Sequence, residues 1–202
     1  MKKILTSLIF LSFHNLNFCA QIEIAQNIKA AVEYLNNGND VNKEIRFTSF
    51  GQSYPLLFHA IYSKNFDLAE LCIMLGADLN WRSSDRHGKP NIFDAFWILS
   101  EDQILPLLEL LIRHKANINM QGNFNRTPLI NVVKRNQVKV AHLLLETKKA
   151  DITIEDDFGF SIINSIYTKE MLEIFKDYIS KKEYDMINER ISPQDTGCCQ
   201  IM

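Results

Sequence analysis

Apolar and polar positions along this chain follow a pattern that returns. The segments "FDLAELCIML", "ILPLLELLIR" and "VKVAHLLLET" each carry apolar residues at helical spacing on a polar ground. A shorter apolar segment precedes each: "PLLFHAI", "PNIFDAF" and "TPLINVV". A fourth such start, "SIINSIY", follows. Counted from Pro55, Pro90, Thr127 and Ser161, these starts are spaced by 35, 37 and 34 residues. The closing segments recur too, as "GNDVN" at Gly38, "GADLN" at Gly76, "KANIN" at Lys115 and "KADIT" at Lys149. A period of this length predicts helix–turn–helix units, none able to bury its apolar face alone, stacked around one continuous core.

The local chemistry agrees with those units. Thr127 is placed to cap a first helix, with Pro128 at the first helical position, where a missing N–H costs nothing. Ala60 and Ala95 let neighbouring first helices approach closely. Leu68, Leu71 and Cys72, then Leu143 and Leu144, supply the inward side of second helices. Gly38 and Gly76 can take the left-handed conformation that ends a helix.

These residues resemble the ankyrin repeat, whose pattern runs G-x-T-P-L-H-x-A-A, then a leucine-rich helix, then G-A-D-V-N. The resemblance spans about Gln21 to Ser180: a partial first unit, three full units and a terminal one. It implies an all-α solenoid of stacked helix-turn-helix units with short hairpin loops over residues 21–182. The chain departs from the pattern at several points. Phe58, Phe93, Ile130 and Asn164 stand where the motif has His. Extra residues surround "WILSED", Pro106 falls near the start of a second helix, and Lys149 follows a one-residue insertion and replaces the closing Gly.

The resemblance also implies a protein partner, held on the concave face by loop tips and first helices. Carried over position by position, the tips contribute Trp81, Arg82, Asp85 and Arg86, then Phe124 and Arg126, then Asp156 and Phe158. The first helices contribute His59, Tyr62, Lys64, Asp94, Asn131, Lys134 and Arg135. For Trp81, Phe124 and Phe158 two readings stand open: a binding anchor, or a cover over the base of its own loop. Basic Lys134 and Arg135 near acidic Asp156 and Asp157 favour a protein over a uniformly charged polymer.

Composition narrows the function further. The 202 residues are 47% hydrophobic and 23% charged, as in an ordered globular chain, with only 7 Gly and 5 Pro to force turns. A formal charge of −2 implies no strongly basic face and argues against nucleic acid as the main partner. His14, His59, His87, His114 and His142 are scattered, with no H-E-x-x-H, no C-x-x-C and no Gly-rich phosphate loop. No catalytic residue, cofactor or metal is expected, and the acids of Glu155–Asp157 read as solvated loop charge. Cys19, Cys72, Cys198 and Cys199 make no disulfide framework; Cys72, within "LCIML", reads as a small core residue.

The two ends differ in kind from the repeats. Residues 1–20, "MKKILTSLIFLSFHNLNFCA", have Lys2 and Lys3, an apolar run from Ile4 to about Phe13 and no acid, the layout of a secretory signal peptide. Phe18 fits the cleavage rule poorly, and a buried apolar first helix is the competing reading. Removal of the leader takes the charge to −4, from 22 basic residues less Lys2 and Lys3 against 24 acidic ones. Residues 183–202 read as a helix end passing Ser192–Pro193 into a flexible tail. Its "CQIM" fits a prenylation pattern at Cys199, with Cys198 available for a second lipid; an intermolecular disulfide is the alternative. The expectation is an exported bacterial binding protein, periplasmic or secreted, that neutralises a toxin or enzyme as an immunity protein does. The rival is a secreted effector, farnesylated at Cys199, that sits on a host membrane and recruits host proteins.

Overall fold

A computed structural model describes residues 37–46, 53–83 and 90–192, together with helical positions Lys29, Glu33 and Leu35. The expected leader with its cleavage at Ala20, the loop residues Asp85, Arg86 and His87, and the tail residues Cys198 and Cys199 lie outside the described residues.

A short hairpin comes first: β1, Glu44–Arg46, pairs antiparallel with β2, Ser53–Pro55, with Ile45 opposite Tyr54. Helices α1, Leu56–Tyr62, and α2, Phe66–Met74, form the next pair. A 3₁₀ helix, Ile92–Trp97, is followed by α3, Glu101–Arg113. Then come α4, Pro128–Lys134, and α5, Val138–Glu146. A 3₁₀ turn, Ile162–Ser165, leads to α6, Lys169–Phe175, and α7, Lys181–Ile191.

The elements stack in two layers. The inner layer runs α1, the 92–97 helix, α4 and the 162–165 turn, each against the next. In the outer layer α3, α5 and α6 follow one another, and α7 packs on α6. Ala60 and Ala95 are buried between inner helices, as their size predicts, and Cys72 lies fully inside. One apolar cluster continues from Val41 to Ile187. At the far end α7 closes the stack: Ile187 is buried, and Arg190 donates to the carbonyls of Ile163 and Ile166 at 2.9 and 2.8 Å. Arg190 thereby ties the closing helix to the end of the last repeat.

Side chains start the helices where the sequence places them. The Thr127 hydroxyl accepts from the Ile130 amide at 3.3 Å, with Pro128 at the first helical position. Asn65 caps α2 by accepting from the Leu68 amide at 3.1 Å. Asn91 and Asp94 cap the 92–97 helix reciprocally, each accepting an amide hydrogen bond of 2.8 Å. Two first helices, 92–97 and 162–165, are 3₁₀ rather than α, and the second is also boxed, the Ser161 amide donating to the Asn164 side chain at 3.1 Å.

Two details correct the sequence reading. Helix α3 begins at Glu101, held by the Gln103 side chain accepting from the Ser100 amide at 3.1 Å. Pro106 therefore sits past the first turn, inside the helix. In the later closing segment it is Lys148, with φ of 55°, that takes the left-handed turn, matching Lys115 at 64° and Gly76 at 85°. Lys149 is the inserted residue, and "ADIT" then resumes the register.

The repeats are tied loop to loop by amide side chains. Asn42 accepts from the Asp78 amide at 2.6 Å, Asn80 from the Asn117 amide at 2.8 Å, and Asn119 from the Asp151 amide at 2.8 Å. Within each loop an acid or amide folds back two residues on, as Asp78 does to the Asn80 amide at 2.9 Å. This ladder supplies loop-to-loop hydrogen bonds in repeats that lack the motif His. At one of those His positions, Phe58 instead stacks between Tyr54 and Tyr62, both at 4.2 Å.

Candidate partner-binding face

The loop tips and first helices converge around one residue, Arg126. Its guanidinium lies 4.9 Å from the Phe124 ring, 5.8 Å from Trp97 and 5.9 Å from Phe158. Its Nε donates to Asp156 Oδ2 at 3.3 Å, and Lys134 Nζ reaches the same oxygen at 3.3 Å. Lys134 also lies 5.6 Å from the Phe160 ring, and Arg135 lies 5.9 Å from Trp97. The result is an aromatic and cationic surface in which Trp97 is 46% exposed, Phe124 55%, Phe158 60% and Phe160 47%. Aromatic rings in this number left in water, fixed by neighbouring cations, form the kind of patch that marks an interaction site.

The two tips are held stiffly. Phe124 and Asn125 are both left-handed, with φ of 58° and 52°. That conformation costs energy for residues other than Gly. The surrounding bonds fix it. The Gly122 amide donates to the Arg126 carbonyl at 2.9 Å, the Asp157 amide to the Phe124 carbonyl at 2.9 Å, and Gln121 Nε2 to the Asn125 carbonyl at 2.8 Å. Arg82 adds a bond to the Asn125 side chain at 3.3 Å. In the next tip Asp156 Oδ1 accepts from the amides of Phe158 and Phe160 at 3.0 and 3.1 Å, while Gly159 turns at a φ of 71°.

Several expected contact residues serve the face from within. The Asp156 side chain is fully covered. Burial alone would raise its pKa, but the Phe160 and Phe158 amides, with Arg126 and Lys134, outweigh it and hold the carboxyl below the usual range. Asp94 is buried as well, accepting from the Asn91 amide at 2.8 Å and from the Asn123 amide at 3.1 Å. There burial prevails and its pKa is raised, against those amides and the charges of Arg82 and Arg126. His59 and Asn131 are likewise buried, His59 edge-on to Tyr54 at 5.7 Å. Asp156 and His59 thus shape the face from within, while Asp94 and Asn131 reach it only as lining of a cleft.

The open readings for the aromatics separate here. Trp81 meets Tyr54 and Phe58 edge-on at 5.8 and 5.6 Å, and its Nε1 donates to Glu44 at 3.2 Å, so it packs on the hairpin and first helix that precede its loop. Phe124 and Phe158 lie 6.0 Å apart and face outward together. Tyr62, Lys134 and Arg135 join this side of the molecule, whereas Lys64 ends α1 with a φ of 60° and stays exposed. Trp97, Ile98 and Phe160 are additions that the repeat pattern did not single out. Their signal was present: Trp97 and Ile98 are bulky apolar residues at the start of "WILSED", where the pattern offers them no inward position.

A cleft of about 300 Å³ opens in this face, lined by Tyr62, Asp94, Trp97, Ile98, Asn123, Phe124, Arg126 and Asn131. Burial pushes the Tyr62 hydroxyl far up in pKa, helped by the charge of Asp94 and by Tyr54, so it stays protonated at physiological pH. No group of three or more His, Cys, Asp or Glu able to hold a metal occurs among the described residues. The Cys72 thiol is pushed up to about 12 by burial and is a poor nucleophile there.

The family model for ankyrin repeats (many copies) matches residues 97–145. Residues 97–145 are ankyrin repeats. The matched segment carries Trp97, α3, the Phe124–Arg126 tip, α4 and α5, and so includes the centre of the aromatic face. No curated protein matches the chain. Ankyrin repeats are protein-interaction modules and in general non-catalytic, in keeping with a face built of rings and cations. Among the described residues, no helix is long and apolar enough to cross a membrane.

Proposed function

We propose that the protein works outside the cytoplasm of a bacterium, docking one protein partner on the face around Arg126 and neutralising it, as an immunity protein blocks a toxin or enzyme. The observation that carries the docking site is the set of exposed rings, Trp97, Phe124, Phe158 and Phe160, fixed by Arg126, Lys134 and Arg135. Aromatic and arginine side chains concentrate binding energy at interfaces, most of all when their geometry is set before the partner arrives. Export rests on the leader composition of residues 1–20.

The test has two parts. Protein purified from its native source carries a stoichiometric partner, and the Trp97→Ala and Phe158→Ala variants lose it while keeping the wild-type helical signal. A partner retained by both variants rejects this face. Intact mass with mapped terminal peptides gives a start near Gln21 and a bare Cys199. A farnesyl on Cys199 replaces the exported reading with the host-membrane one.

A further inference from the structure

We propose that the Arg126 guanidinium, framed by Trp97, Phe124 and Phe158, is the receptor for a glutamate or aspartate side chain that the partner protein presents beside an apolar residue. The inference rests on the docking face proposed above and names the chemistry that face recognises.

Geometry comes first. Arg126 meets Asp156 through Nε, and a guanidinium is planar and forked. Asp156 is met on the Nε side, and the end edge of the fork, between the two terminal amino groups, supplies a second pair of N–H donors. The side chain is 17% exposed and lines the cleft, so it is accessible yet mostly screened from water. A charged hydrogen bond gains strength in such a setting, and two parallel N–H donors match a carboxylate.

The charge balance selects an anion. Around the cleft and its two tips stand four cations, Arg82, Arg126, Lys134 and Arg135, against three carboxylates, Asp94, Asp156 and Asp157. Asp156 is shared by Arg126 and Lys134, while Asp94 accepts backbone amides from Asn91 and Asn123. An incoming cation is disfavoured on the same surface. The rings that would attract it already meet cations of this chain: Phe124 and Trp97 meet Arg126, Trp97 also meets Arg135, and Phe160 meets Lys134. The apolar neighbour is called for by the walls, since Tyr62, Trp97, Ile98 and Phe124 line the remainder of the cleft.

The probes are 4-phenylbutyrate, its amide 4-phenylbutanamide and the cation 4-phenylbutylammonium, titrated into the full chain while the two Trp indole N–H resonances are followed. The expected result is a shift of the Trp97 resonance, with phenylbutyrate binding at least about tenfold more tightly than the other two. Arg126→Lys keeps a cation for Asp156 but removes the fork, and it weakens phenylbutyrate by about tenfold or more. Tighter binding of the ammonium, equal binding of all three, no binding, or a carboxylate preference untouched by Arg126→Lys each overturns the proposal. Its failure leaves the docking reading standing if Trp97→Ala and Phe158→Ala still release the native partner. Retention of the partner by those variants removes both.

Discussion

The Asp94 carboxylate occupies the space that a side chain at residue 122 would need. A Cβ built on Gly122 would lie 2.2 Å from Asp94 Oδ2 and 2.6 Å from its Cγ. Asp94 has little room to withdraw, because its oxygens accept from the Asn91 amide at 2.8 Å and the Asn123 amide at 3.1 and 3.2 Å. One carboxylate thus starts the 92–97 helix of its own repeat and seats the aromatic tip of the next.

Gly122→Ala must break that seat. The clash displaces a buried carboxylate from charged hydrogen bonds of about 1.5–3 kcal/mol each, so a loss near 2–3 kcal/mol is expected in urea unfolding. In an Asp94→Ala background most of that added cost disappears, because the obstructing group is gone. Equal costs of Gly122→Ala in both backgrounds would show that the two residues are not coupled.

A second prediction concerns the left-handed turns that close the repeats. Gly76 and Lys115 share the role, with φ of 85° and 64°, although only one of them is Gly. A side chain in this conformation costs roughly 1 kcal/mol, partly offset by the greater freedom of an unfolded Gly. Lys115→Gly is therefore expected to stabilise the protein by about 0.5 kcal/mol or slightly more, and Gly76→Ala to destabilise it by about 1 kcal/mol. Nothing lies within 4 Å of a Cβ at Gly76, so backbone strain alone sets that cost. Chemical denaturation of the two variants side by side checks the opposite signs; a shared sign sinks the account.

What the sequence made legible follows from which interactions have a period. Thr127, Pro128, Ala60, Ala95 and Cys72 act through local capping or core spacing, and each sits where its type and position place it. The 3₁₀ form of the 92–97 helix was not legible, because the apolar spacing of so short a segment does not separate a 3₁₀ from an α first helix. The face itself was half visible. Phe124, Phe158, Arg126, Lys134 and Arg135 could be reached through their loop and helix positions. Trp97 was signalled only by lacking an inward position in the pattern, and Phe160 carried no such signal, since its neighbour Lys134 comes from another repeat. The inward turn of Asp94 and Asp156 was hidden for a like reason: an acid at a tip looks solvated until the amides folding around it are seen.

Asp156 gives the face an acid limit. Its carboxyl is held below the ordinary aspartate range, so in the unfolded chain it takes up a proton at higher pH than in the folded one. Its contribution is therefore complete above the ordinary value of about 3.9 and is lost as pH falls from there through the lowered folded value. Asp94 works with the opposite sign. With its pKa raised, the folded state binds the extra proton, and stability from that group falls as pH rises through its window. The wild-type profile mixes the two, so the comparison is with Asp156→Asn. At pH 7 the variant is expected to be about 2 kcal/mol less stable, having exchanged an ionised acceptor of two amides and two cations for a neutral one. Below about pH 4 the gap narrows as the wild-type carboxylate is protonated. Urea unfolding of both proteins at pH 7 and pH 3 measures it. A gap of the same size at both pH values would mean that Asp156 holds the tip by shape, with its charge contributing nothing.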